Sequence, residues 1–572
     1  MFYFNKKIKE NQLFRKSIFP VLLLLFLILA IGVWYSPIVF KGYPANSLPA
    51  NLILAKNLAT NNLYGMESKI GVVLSSNLLN QEATESSLGN KLTSIIYSQI
   101  FKNFRLLNIN KLLFLSCFLY ALSLIFFMLT VKKIFDKKIS IFFGLVYIFI
   151  PVQWALPLSH FISYEFATLF FSVFIFLYFT GLGKKKEKIY LISSGVFLAL
   201  SAMAKEVFLL FIPVFIIYLF IIKKRRELIY FTGALIVLLG VFWLPNLFNN
   251  VYFGHLNDKL QETTMSKDFE IYGEFFADPY SYYFQKDEIL ANVKIEKSFN
   301  PLKQLQPIKL LSNVGIRTPS IYERLFIGTF LFFKQNFKIL SLEQTGGPLI
   351  FIIFLGGVLY LWKQEREKIL FFIGWILGMS LMLSYIVLGS RSHLMDIIFP
   401  ICLLIALGIN NLFVMIEQNI LIKKKILIVL ETTILLLIVY NFVQTSHLTL
   451  NRLYSNPIVL KIEAYAKIIQ TKNNISDNDV IAVNDRQEAY QLNYMTNKSL
   501  VIFKDQTLEK LLVDNKLQTV FDQYNVRYLI GYNKELSEKI IKTTNVTILS
   551  EDISASEPEP SNVKKQFLNF FR

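Results

Sequence analysis

Runs of about twenty apolar residues constrain this chain more than any other feature. The first, SIFPVLLLLFLILAIGVWYSPIVF (Ser17–Phe40), contains no charged residue. About 20 such residues in a helix cross the hydrocarbon core of a bilayer, and similar runs recur to about residue 445. The hydropathy pattern predicts a mainly α, polytopic membrane protein of about eleven spans: roughly 18–38, 111–131, 139–157, 163–182, 189–204, 207–222, 228–247, 346–362, 369–388, 395–415 and 426–444. A soluble enzyme and a disulfide scaffold are excluded, and the two cysteines, Cys117 and Cys402, both lie inside apolar runs. The first run is too long for a cleaved signal and no small-residue cleavage site follows it, so it reads as a retained helix.

The net charge of +19 then has an address. The amino-terminal tail and the turns 132–138, 184–188, 223–227, 363–368 and 423–425, with Glu417 just before the last, hold 23 Lys/Arg against 7 Asp/Glu, so 16 of the 19 net charges sit there. The three short connections on the opposite side hold only Lys205 and Arg391. Basic residues accumulate on the cytoplasmic face, which predicts a protein integral to the plasma (inner) membrane with a cytoplasmic amino terminus. The charge is an orientation signal, and no nucleic-acid partner is expected. Three long segments, about 39–110, 248–345 and 445–572, face outward in this topology. All four histidines (His160, His255, His393 and His447) lie in or beside exterior segments, so the chemistry is expected there. Within the second loop, Glu323–Leu340 reads as an interfacial helix, because a twelfth span would turn every later basic turn outward.

After about residue 445 the pattern changes. A helix is predicted over 456–471, followed by short apolar strands at Asp479–Val483, Ser499–Phe503, Val526–Tyr532 and Val546–Leu549, with amphipathic stretches such as Gln506–Asn515 between them. Continuously apolar strands alternating with helices predict a small, parallel α/β domain, extracytoplasmic, over 446–555. Residues 1–445 form the membrane domain, and 556–572, opening on SEPEPSN, a flexible tail.

No phosphate-binding P-loop, Rossmann glycine fingerprint, HExxH or paired CxxC occurs. Nor do the spans carry the acidic clusters of ion-coupled transporters; Glu165 and Glu431 are the main exceptions. Glu431 is expected to face a neighbouring helix.

Several exterior segments share a pattern. After the first span come Leu48-Pro49-Ala50, Ala55-Lys56-Asn57-Leu58-Ala59 and Leu63-Tyr64; Pro157–Glu165 opens the fourth span; Gly195–Glu206 ends the fifth with Lys205. Trp243–Leu256 leaves the seventh with Asn249, Asn250, Gly254 and His255, and Ser390–Leu412 carries Arg391, His393, Asp396, Pro400 and Gly408. In this order and on this side, the segments resemble the C-type (GT-C) membrane glycosyltransferases, a superfamily that includes protein O-mannosyltransferases and the lipid A aminoarabinose transferase. The chain departs from that superfamily at Asn46-Ser47, where the family carries an acidic residue. Asparagine accepts no proton at neutral pH. Glu67, Glu82 or Glu85 would have to replace the base, or the acceptor would have to need none.

The resemblance implies transfer of a sugar from a polyprenyl-phosphate donor to an extracytoplasmic protein, lipid or glycan. Glu165 matches the family's second acid and would orient or deprotonate the acceptor. Lys205, Arg391 and Arg317 are candidates for the donor phosphate, as cations beside the departing phosphate stabilise its negative charge. His160, Asn249, Asn250, His255, His393 and Asp396 are further cavity candidates. The stretch Phe269–Glu288 interleaves aromatics with acids, as either an acceptor surface or a packed loop. No His/acid spacing is diagnostic of a metal, so the sequence leaves a divalent ion open; the polyprenyl-phosphate sugar is the donor substrate the resemblance implies. The alternatives are a transporter or flippase for a lipid-linked saccharide, and a degenerate scaffold of the same fold.

Overall fold

The computed structural model describes chiefly residues 19–37, 50–63, 65–68, 72–75, 83–85, 91–104, 109–154, 164–238, 346–386, 395–419, 424–454 and 457–551, with isolated gaps. Of the expected interfacial helix only Thr329 and Phe332, both helical, are among them; the aromatic stretch 269–288, the tail 556–572 and residues 157–163 and 387–394 lie outside.

Helix occupies part of every predicted span. Five helical segments are long and apolar enough to cross a membrane: Phe19–Pro37 (α1), Lys111–Ile134, Glu187–Ala204, Ile397–Gln418 and Ile428–His447. The exposed surface has the same character. On α1, Phe26, Ala30 and Trp34 recur every four residues and are buried, while Val21, Leu24, Leu25 and Ile28 are exposed. An apolar helix face left outward is stable against lipid, and the protein is integral to a membrane.

Two spans are less regular than the hydropathy pattern suggests. The helix predicted over 139–157 is interrupted: α5 (Lys137–Phe149) ends at Ile150, whose backbone is extended at φ −60°, ψ 131°. Pro151 is the cause, since a proline pushes the residue before it out of the helical region. Residues 151–154 resume as helix. The span at 207–222 begins as a 3₁₀ turn, Glu206–Leu210, before α8 (Phe211–Ile221).

Between α1 and α5 lie α2 (Ala50–Asn61), a short hairpin of β1 (Gly65–Ser68) and β2 (Ala83–Glu85), α3 (Lys91–Phe104) and α4 (Ile109–Ile134). The bundle continues with α6 (Glu165–Gly181), α7 (Glu187–Ala204), α9 (Pro348–Gln364), α10 (Arg366–Ile386), α11 (Met395–Asn419) and α12 (Lys424–Tyr454). Trp34 Nε1 on α1 donates to the Ile148 carbonyl on α5 at 3.0 Å. Glu431 lies 3.6 Å from Lys138 in the first turn of α5, a contact with a neighbouring helix.

Helices α9 and α11 approach almost to backbone contact. A Cβ on Gly408 would lie 1.9 Å from the Ile353 carbonyl oxygen, and one on Gly357 would lie 1.8 Å from that of Leu404. Each glycine faces a residue one turn from its partner glycine, so the two helices interlock through missing side chains. Close approach through small residues is a principal source of helix association in lipid.

Beyond α12 and α13 (Pro457–Thr471), the strands β3 (Val480–Val483), β4 (Ser499–Ile502), β5 (Val526–Tyr532) and β6 (Thr547–Glu551) form one parallel sheet in the order β4-β3-β5-β6. They alternate with α14 (Arg486–Thr496), α15 (Asp505–Val513), α16 (Leu517–Tyr524) and α17 (Lys534–Thr543). Every residue of β3 and β4 is buried, as their unbroken apolar sequences require. The predicted strand positions are met to within two residues. Helix α12 runs without interruption through residue 445, where the composition changes.

The first loop joins the two parts. Leu52 and Ala55 of α2 belong to the membrane core, while Ile53 and Leu54 belong to the core of the sheet region. The segment Val72–Ser75 covers the outer edge of β4: Val73 N donates to Leu500 O at 2.7 Å and Leu500 N to Val73 O at 2.9 Å. Ser75 N donates to Ser499 Oγ at 3.0 Å, and Asn493 Nδ2 to Leu74 O at 2.9 Å. An edge strand otherwise exposes a row of unpaired backbone groups, and here the first loop satisfies part of them.

Candidate active site

Helices α6 and α7 run antiparallel, so the first residue of one and the last of the other share one end of the bundle. Ser201 Oγ on α7 donates to Ala167 O on α6 at 2.8 Å, which fixes their register. Glu165 occupies the first turn of α6 and is fully buried. A carboxylate in a first turn is favoured by the unsatisfied N–H groups and dipole of the helix. Buried among apolar side chains it still needs specific donors.

Helix α3 of the first loop supplies one. Tyr97 OH donates to Glu165 Oε1. Burial and the adjacent carboxylate push the Tyr97 hydroxyl well above the usual phenol range, so it remains a donor throughout the physiological pH range. Its ring packs edge-on against Phe166 at 5.3 Å between centroids. A second contact anchors the same helix, with Thr93 Oγ1 donating to Ala204 O at the end of α7, 3.0 Å.

Lys205 ends α7 with extended backbone, φ −153° and ψ 119°. Its Nζ lies 5.1 Å from the centre of the Tyr164 ring, and Tyr164 is the residue immediately before Glu165. Three elements, α3, α6 and α7, thus bring a carboxylate, a permanent hydroxyl donor and an ammonium group to one place. The arrangement can accept a proton and offer positive charge to an anion, the two functions that displacement at a phosphorylated sugar needs.

Of the residues expected from sequence, Glu165 and Lys205 are therefore brought together. Glu67 and Glu85 fall on the paired strands β1 and β2, in the register Gly65↔Glu85 and Glu67↔Thr84. Two of the three acids that could replace the missing first-loop carboxylate thus belong to one hairpin. Asp396 is in the first turn of α11. Asn46, Ser47, Glu82, His160, Asn249, Asn250, His255, Arg317, Arg391 and His393 lie outside the described residues. Among the described residues no group of three or more His, Cys, Asp or Glu converges on a point.

Tyr97 was not anticipated. A signal for it exists in KLTSIIYSQIFKNF, where Thr93, Ser94, Tyr97 and Ser98 repeat at helical spacing. All four are buried, so the polar stripe of α3 faces inward. Replacing Tyr97 by Phe removes one donor from a buried carboxylate. The expected cost is about 1.5–3 kcal/mol, the usual range for a hydrogen bond to a charged group, read as a lower thermal midpoint in detergent or nanodiscs.

A comparison with family models finds no match, and a comparison with curated proteins finds none either. Solved structures do match. The oligosaccharyltransferase AglB of Archaeoglobus fulgidus, in complex with an inhibitory peptide and a dolichol-phosphate, superposes with a TM-score of 0.55 at 11% identity, covering 90% of this chain and 69% of that one. The same enzyme tethered to an acceptor peptide containing an NVT sequon gives 0.54, with 90% and 69% covered. ArnT from Cupriavidus metallidurans, bound to undecaprenyl phosphate, gives 0.48 at 10% identity, with 92% and 89% covered.

Proposed function

We propose, from a chain with the GT-C fold, that this protein transfers a sugar from a polyprenyl-phosphate donor to an acceptor on the extracytoplasmic face of the membrane. The observation that carries the reading is the buried Glu165, held by Tyr97 of the first loop and placed beside Lys205 through Tyr164. The AglB structure contains a dolichol-phosphate, a ligand with the chemistry this corner would recognise.

In the proposed reaction the acceptor group attacks the anomeric carbon while the bond from that carbon to the phosphate oxygen breaks. Glu165 orients the attacking group and takes its proton. Lys205 meets the departing lipid phosphate, whose charge rises as the bond lengthens, so its contribution is larger in the transition state than in the ground state. Burial of the corner keeps water from competing for the sugar. The basic turns support a cytoplasmic amino terminus, with this end of the bundle on the outer side.

The test uses the full-length protein in nanodiscs, undecaprenyl phosphate carrying mannose, glucose, N-acetylglucosamine or aminoarabinose, and a panel of peptide, lipid and glycan acceptors, with acceptor-dependent release of undecaprenyl phosphate as the readout. Wild type is expected to bind at least one of these lipids and to transfer its sugar to an acceptor. Lys205→Met is expected to weaken binding of the phosphate by roughly 10-fold or more, the worth of one charge-assisted contact. Absence of binding to all the lipids by the wild type would defeat the transferase reading.

A further inference from the structure

Helix α7 ends at the peptide that joins Ala204 to Lys205. A peptide unit is planar and rigid, so a hold on its N–H and on its C=O together fixes the direction in which the chain leaves it. Lys205 N donates to Ser201 O at 2.9 Å, the last backbone bond of the helix. Ala204 O lies in the last turn, where carbonyls have no intrahelical donor. The residue is 0% exposed, so bulk water does not supply one. Thr93 Oγ1 of α3 does, at 3.0 Å. One plane of backbone is therefore held at one edge by its own helix and at the other by the first loop, and Lys205 follows directly from it.

Hydroxyls in helices usually bond back to a carbonyl of their own helix. Ser98 on α3 (to Ile95 O, 2.8 Å), Ser172 on α6 (to Leu169 O, 2.7 Å) and Ser194 on α7 (to Leu191 O, 2.7 Å) all do so. Thr93 and Ser201 instead reach across to a facing helix, Thr93 to Ala204 O and Ser201 to Ala167 O. With the bond from Tyr97 to Glu165 Oε1 they close a triangle, in which each pair among α3, α6 and α7 is joined by one side-chain hydrogen bond. Thr93 and Tyr97 are one turn apart, which puts them on one face of α3. That face holds the carboxylate with one residue and, with the other, the peptide from which the cation extends.

We propose that Thr93 is the positioning residue for Lys205, so that α3, through Thr93 and Tyr97, sets the spacing between the cation that meets the donor phosphate and the carboxylate that meets the acceptor. The inference rests on the transferase reading above and adds to it what holds the phosphate-binding group in place. Without the Thr93 hydroxyl the buried Ala204 carbonyl loses that donor, and a buried acceptor is costly to leave unmatched. The peptide turns towards another donor, and Lys205 Nζ leaves its place over the Tyr164 ring. Thr93 itself touches neither donor nor acceptor; its effect on binding passes through Lys205.

Two comparisons isolate the hydroxyl: wild type against Thr93→Val, and Thr93→Ser against Thr93→Ala. Binding of undecaprenyl phosphate to the full-length protein in nanodiscs is followed by native mass spectrometry. Thr93→Ser is expected to bind as wild type does. Thr93→Val and Thr93→Ala are expected to bind roughly 3–10-fold more weakly, the worth of one neutral hydrogen bond. In a Lys205→Met background, Thr93→Val is expected to weaken binding no further, because changes that act through one group do not add. A weakening that persists undiminished in that background comes from general loss of packing and overturns the proposal. Wild-type binding by Thr93→Val and Thr93→Ala overturns it too, as does Thr93→Ser binding as weakly as Thr93→Ala. If Thr93→Val is not recovered folded, the serine and alanine variants decide alone. Wild type that binds no undecaprenyl phosphate defeats the transferase reading and the proposal with it, an outcome told apart from the others because no variant enters it.

Discussion

Glu165→Gln is expected to lower sugar transfer by roughly 10²–10⁴-fold, the contribution of a positioned general base. Glutamine keeps the shape of glutamate and its side-chain oxygen can still accept the Tyr97 hydroxyl. What it loses is the capacity to take a proton and the negative charge. The loss should appear in kcat, with the affinity for the lipid-linked donor changed much less, since Lys205 remains over Tyr164. Glu165→Asp makes a useful companion. It keeps the charge but withdraws the carboxylate from Tyr97 by about one methylene, and an intermediate rate is expected. Rates for Glu165→Gln within tenfold of wild type would remove Glu165 from the reaction.

Gly408→Val is expected to prevent normal packing of α9 against α11. The first added carbon would already meet the Ile353 carbonyl oxygen at 1.9 Å, an atom of the facing backbone that no rotamer change can move aside. Helices α9 and α11 would have to separate, and Gly357 would lose its own close approach to Leu404. Over-packing a well-filled core typically costs about 1–3 kcal/mol, and a clash with main chain belongs at or above the top of that range. The expected result is little recoverable folded protein by size-exclusion chromatography. Gly408→Ala should give a milder loss that combines non-additively with Gly357→Ala, because the two glycines share one contact. Wild-type melting for Gly408→Val would refute the account.

How much of this was legible depends on how local the signal is. The strands of the parallel sheet were readable because β3 and β4 are buried on both faces and spell unbroken apolar sequences. The apolar helices were readable from length and hydropathy, but the break at Ile150 was masked, because hydropathy registers Pro151 as only another residue in an apolar run. Glu165 and Lys205 stood out as charges in otherwise uncharged surroundings. Tyr97 did not, because its role depends on α3 folding back onto the start of α6, a contact between residues 68 positions apart.

The docking of the first loop also sets an order of assembly. Ser75 and Ser499, which bond to each other, are separated by 424 positions. At the usual 5–20 residues per second of synthesis, the edge of β4 is made roughly 20–85 s after the segment that covers it. During that interval α2 has one apolar face matched to the membrane core and another, Ile53 and Leu54, with nothing to pack against. Helix α3, which carries Tyr97, follows in the same loop. The first loop is thus anchored at one end to helices that are made early and at the other to an edge strand that is made late. A chain truncated before β4 would lack the partner of Val72–Ser75 while retaining every residue of the corner around Glu165.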